Sequence, residues 1–196
     1  YSYITEETNI MQDTDADLSF TAQLFVGNEP VAAVSKVLSK MLEKPGMNAE
    51  IRQLLRDIRK SEPQELSYGE GVTPETFYFR HHDDVYTIRI KRVDGLFNET
   101  ASMEGSPRSL SKFEGDDPTY FRIVNRSGDI VKLDEIPDDI SEVYLFTGPQ
   151  RRPVKTYGEL PLFPVLTDDP NRAGTPLVFT LKILDRDPHY VSWTKS

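Results

Sequence analysis

Apolar and polar positions begin to alternate at Leu18. Leu18, Phe20, Ala22, Leu24 and Val26 form one row and Ser19, Thr21, Gln23 and Phe25 the other. A period of two with one apolar row predicts a strand with one buried face. From Pro30 the period lengthens. Val34, Val37, Leu38, Met41 and Leu42 fall on one helical face, which predicts a helix from about Pro30 to Glu43. Proline suits its first turn, because the missing N–H would have had no partner there. Lys44-Pro45-Gly46 stops it, and Asn48 is a suitable N-cap for a second helix with Ile51, Leu54, Leu55 and Ile58 as its core face. So short a linker folds the pair into an antiparallel hairpin.

Residues 61–74, rich in Glu, Gly and Pro, read as a linker. Beyond them the pattern returns to strands, at 76–81, 85–93, 119–124, 129–133, 142–147 and 177–184. Leu177, Phe179, Leu181 and Ile183 make the last of these the most regular, and predict a central place for it. Tyr120 to Leu133 reads as a hairpin, with Gly128 in its turn. Residues 94–117 show no clean period and predict a long mobile or binding loop. In LDEIPDDISEVYLF, residues 133–146, Ile136, Ile140, Val143 and Leu145 read as core anchors and the carboxylates as a solvated edge. The expectation is an α+β fold: a mostly antiparallel sheet, or two, with the hairpin of residues 30–60 packed on one face. Residues 1–17 form an acidic arm. Residues 18–196 form one domain, with any sub-boundary near 61–74.

Composition supports a packed core, since 37% of the 196 residues are hydrophobic and ten Phe and nine Tyr are among them. The net charge of −9 speaks against general nucleic-acid binding and suits a basic protein partner. Without cysteine the chain has no disulfide, thiolate nucleophile or Cys-based metal site. No apolar run is long enough to span a membrane and no signal-peptide pattern opens the given chain, so a soluble protein is expected, its location open. The start at Tyr1 reads as a trimmed piece of something longer. Two glycosylation sequons, at Asn98 and Asn125, are close to chance and carry little weight.

Charge is segregated along the first third. Residues 1–30 hold six acids and no base, whereas residues 31–60 hold seven bases against three acids. Either the arm lies back over the helices, or Arg52, Arg56 and Arg59, which share one side of the second helix, are offered to an anionic partner. A second basic cluster, Arg151 and Arg152, lies between prolines after the strand at 142–147.

Chemistry-bearing residues gather only at His81-His82-Asp83-Asp84. Flanked by alternating strands, the four read as the tip of a hairpin. Adjacent side chains on an extended chain point to opposite faces, so His81 and His82 cannot easily share an ion. A metal site would need His81 and Asp83 joined by His189. The Asp13-Asp15-Asp17 spacing fails as a calcium loop, because Leu18 and Leu24 occupy the positions that require Gly and Glu. No phosphate-binding loop, dinucleotide fingerprint or nucleophile elbow is present, and no cofactor is implied.

Three functions follow. The first is a non-enzymatic binding or assembly protein, a viral structural or matrix-like component, an effector or an adaptor, whose partner is another protein or a second copy of itself. The order of a strand, two helices and antiparallel strands resembles that of some viral matrix proteins. The second is a metal-dependent hydrolase centred on His81, Asp83 and His189. The third is an acidic inhibitor or immunity-type protein that covers a basic partner with Asp134, Asp138 and Asp139.

Overall fold

Six of the alternating segments close on one another. The structure, a computed structural model, describes residues 15–157 and 163–188, so most of the acidic arm and His189 lie outside the described residues. In chain order the strands begin with β1 (Phe20–Val26), β2 (Glu29–Ala33), β3 (Leu66–Tyr68), β4 (Phe77–His82) and β5 (Val85–Ile90). There follow β6 (Glu99–Glu104), β7 (Ser109–Phe113), β8 (Phe121–Asn125), β9 (Ile130–Val131) and β10 (Ile140–Thr147). Last come β11 (Arg152–Pro153), β12 (Lys155–Thr156), β13 (Leu166–Thr167) and β14 (Phe179–Asp185). Two helices, α1 (Val34–Glu43) and α2 (Ala49–Lys60), lie between β2 and β3.

The closed ring runs β1, β14, β10, β8, β5, β4 and back to β1, antiparallel at every step. Its joints are inward residues: Leu24 faces Leu181, Phe179 faces Val143, Leu145 faces Ile123, Phe121 faces Tyr86, Ile88 faces Phe79, and Phe79 faces Phe20. The expectation of an α+β protein with an open sheet and a helical hairpin on one face is therefore corrected. The chain is mostly β, with about 40% of the described residues in strands around a six-stranded barrel and few helices. Alternation had placed the strands, but closure depends on which distant strands pair, and local periodicity is silent on that.

Side chains fill the barrel, as expected of so few strands. Phe20 and Phe79 stack with ring centroids 4.8 Å apart, and Tyr86 meets Phe20 edge-on at 5.7 Å. The Tyr86 hydroxyl donates to the Leu18 carbonyl and accepts from the Leu133 N–H, while burial pushes its phenol above the usual range.

The remaining long strands extend the sheet from the ring in two directions, β2–β3 from β1 and β6–β7 from β5, and the two extensions touch where Glu65 bridges Ser111. Two stretches expected to be irregular are thus ordered. The linker at 61–74 contains β3, and the loop at 94–117 contains the β6–β7 hairpin. The first is too short at three residues to show a period, and in the second β6 is buried on both faces, from Thr100 to Met103. The buried Ser102 hydroxyl is satisfied by Glu104 and Thr119.

An ion pair ties that hairpin to the barrel. Arg108, in the β6–β7 turn, grips Asp168 with two bonds of 2.9 and 3.0 Å, and Thr147 at the end of β10 donates to the same carboxylate at 2.5 Å. Burial alone would raise the Asp168 carboxyl. The bonds from Arg108 and Thr147 and the charges of Arg108 and Arg152 outweigh burial and hold it below the ordinary carboxylate range.

The first helix starts at Val34 rather than Pro30, since Glu29–Ala33 pairs with β1 and β3. Ala33 offers no capping side chain. Glu75 supplies the missing acceptor from outside the helix, taking the Ala33 N–H at 3.2 Å and the Lys36 ammonium at 2.8 Å. Asn48 caps α2 by accepting from Glu50 N–H at 2.7 Å. Val34 and Leu38 of α1 pack on Leu55 of α2. Of the predicted core face of α2, Ile51 and Leu54 are instead 43% and 48% exposed.

Candidate protein-binding surface

At the tip joining β4 to β5 only Asp83 and Asp84 form the turn, with φ of 48° and 63°, the left-handed pair a two-residue hairpin requires. His81 and His82 still belong to β4 and point to opposite faces, the first buried and the second exposed. Yet both rings reach one carboxylate. Asp15, in the turn before β1, lies 2.6 Å from His81 Nδ1 and 3.4 Å from His82 Nδ1. A carboxylate only accepts, so His81 Nδ1 carries the proton. His81 Nε2 is buried without a partner among the described residues. Ser19 completes the lock, accepting from His81 N–H at 3.0 Å and donating to the Asp15 carbonyl at 2.7 Å. Among the described residues no three His, Asp or Glu side chains are placed to hold a metal ion. Nothing local in the sequence marks Asp15 as the partner of His81, because the fold alone brings residue 15 to residue 81.

The predicted basic residues are dispersed. Arg52 donates to the carbonyls of Leu42 and Lys44 at 2.7 and 3.0 Å, so it caps the end of α1. Arg59 reaches Ser39 Oγ at 3.3 Å, and Arg56 is exposed. Arg151 occupies the turn after β10 with φ of 50°, and Arg152 lies in β11.

A different surface combines apolar exposure with charge. On β10 the odd positions Val143 and Leu145 face the core, and on β14 Phe179, Leu181 and Ile183 do the same. The other row of each strand faces outward. There Ile140 is 63% exposed and Leu184 46% exposed, which corrects the placing of Ile140 among the core anchors. Ile140 stands opposite Lys182, so Leu184 is one diagonal step away across the sheet. Both are large aliphatic side chains left partly in water on one face of the sheet, with Lys182 beside them.

The segments that carry the pair are rich in charge. Residues 134–142 carry Asp134, Glu135, Asp138, Asp139 and Glu142 with no base, and residues 182–187 add Asp185 and Asp187 against Lys182 and Arg186. Arg186 is engaged, bonding Asp139 at 2.9 Å and the Ile136 carbonyl at 2.8 Å. Glu142 has Arg126 at 3.6 Å. These two segments thus carry seven acids against two bases, with Lys182 directly opposite Ile140 and Arg126 reaching Glu142 from the turn after β8; the sequence had offered this acidic stretch at Asp134, Asp138 and Asp139.

No helix among the described residues is long and apolar enough to cross a membrane. Neither a family model, nor a curated protein, nor a solved structure matches this chain.

Proposed function

We propose that this is a non-enzymatic binding protein that meets a basic protein partner through the outer face of β10 and β14. The observation that carries the reading is the exposure of Ile140 and Leu184, 63% and 46%, on strands whose flanking segments are rich in carboxylates. Protein interfaces have this anatomy, an apolar centre that supplies affinity and a charged rim that steers and selects. An inhibitor that covers a basic site on its target is one form of such a protein.

The test uses paired baits. A purified basic partner should bind the wild-type chain in a salt-sensitive manner, and Ile140→Ser should weaken binding by about 1–3 kcal/mol by calorimetry. Asp138→Lys should weaken it chiefly by slowing association. Equal binding of that partner to the wild type and both variants refutes the reading.

A further inference from the structure

Several elements converge on a charged cleft of about 480 Å³. α1 contributes Lys36 from its first turn, the segment entering β4 contributes Glu75, and the end of β5 with the turn after it contributes Ile90 to Asp94. Glu99 of β6 and Lys112 of β7 complete the wall. Main-chain bonds hold these segments in place. Glu75 N–H donates to the Val31 carbonyl at 3.1 Å, Lys91 N–H to the Thr76 carbonyl at 2.9 Å, and Lys112 N–H to the Gln64 carbonyl at 2.8 Å. The turn after β5 is closed by Arg92 N–H on the Leu96 carbonyl at 2.7 Å, and Val93 within it is fully exposed.

Four bases and three acids line the cleft, and their pairing leaves a positive remainder. Glu75 is taken by Lys36 and by the Ala33 N–H, and Asp94 lies 3.6 Å from Arg92. Among the described residues Lys91, Lys112 and Glu99 form no ion pair. Glu99 stands opposite Ile90 and Lys112 opposite Ala101, so this one acid offsets at most one of the two lysines. The cleft of about 440 Å³ beside α1 differs in this respect, because its Lys40 and Lys44 both have carboxylates, Glu43 and Glu70.

We infer that the cleft between α1, β5 and the β6–β7 hairpin binds a phosphate monoester with a small apolar body. A phosphate monoester is nearly doubly charged at neutral pH, and that charge meets Lys91 and Lys112. Its oxygens accept from ammonium groups that arrive from different strands, whereas a planar carboxylate is better matched by a forked guanidinium. Glu99 lowers the affinity without cancelling the attraction. Val93 offers the apolar body a contact at the rim, and the volume suits a small ligand. The site shares no residue with the face of β10 and β14, so either reading can fail alone.

The experiment is an amide NMR titration of the full chain with phenyl phosphate, with phenol and inorganic phosphate as controls. Phenyl phosphate should shift residues 91–94 and 112, and phenol should leave them in place. Inorganic phosphate should bind more weakly, because it has nothing to lay on Val93. Lys91→Gln and Lys112→Gln should each weaken phenyl phosphate binding about two- to fivefold, the range of a partly exposed charge pair. Glu99→Gln should strengthen it by a similar factor, since it removes a like charge. Equal affinity for inorganic phosphate, unchanged affinity in both lysine variants, or shifts spread equally over Arg56 and Arg151 overturns the inference.

Discussion

His81 holds its Nδ1 proton on Asp15 and keeps a bare Nε2 inside the barrel, so its place depends on one distant carboxylate. Asp15→Ala should lower the unfolding free energy by about 1–3 kcal/mol in urea titrations, the usual cost of stranding a buried polar group. His81→Phe, which removes the unpartnered nitrogen along with the bond, should cost less than His81→Ala. Asp168 gives a prediction in pH. Its carboxyl is held lower in the folded chain than in the unfolded one, so its contribution is fully present above about pH 4 and is lost as pH falls through the folded value. Asp168→Asn should cost about 1–3 kcal/mol at neutral pH, less than a fully enclosed pair because Arg108 is partly in water. The gap between variant and wild type should close as denaturation is repeated toward pH 2. Pairings such as 15 with 81 and 108 with 168 were illegible in the sequence. Each joins side chains that no spacing rule relates.

At the scale of elements, what could be read was what repeats locally. The α1 stripe of Val34, Val37 and Leu38, the Asn48 cap and the inward rows of β1 and β14 stand as periodicity placed them. β2 was hidden because four of its five residues are buried, which erases alternation, and because a proline ahead of apolar residues also suits a helix start. β6 was hidden for the first of these reasons. The misreading of Ile51 and Leu54 as core has a direct consequence. Since both are exposed, Leu54→Ser should change stability by less than about 0.5 kcal/mol, whereas Leu55→Ala should cost about 2–5 kcal/mol, and thermal melts of the two variants separate the cases.

For the whole molecule the deciding contact is the seam where β1 meets β4, since without it the ring is an open sheet. Phe20 and Phe79, both fully buried, stack across that seam. Phe20→Ala should destabilise by about 3–5 kcal/mol and speed hydrogen exchange in β1 and β4 before it does so in β6 and β7. The seam was out of reach of sequence reasoning because β1 and β4 are separated by two helices and two strands, so nothing between them announces the pairing. The outward placing of Ile140 likewise belongs to the closed ring, in which the other row of β10 fills the barrel.

The ring also joins the first described strand to the last, with Thr21 paired to Asp185. A ribosome must therefore deliver β14 before β1 can be enclosed. At roughly 5–20 residues per second, Phe20, Ala22 and Leu24 wait on the order of ten seconds or more with their apolar row uncovered. The nascent chain thus presents a ready target to a chaperone in the interval between the two strands, and that target vanishes when β14 docks.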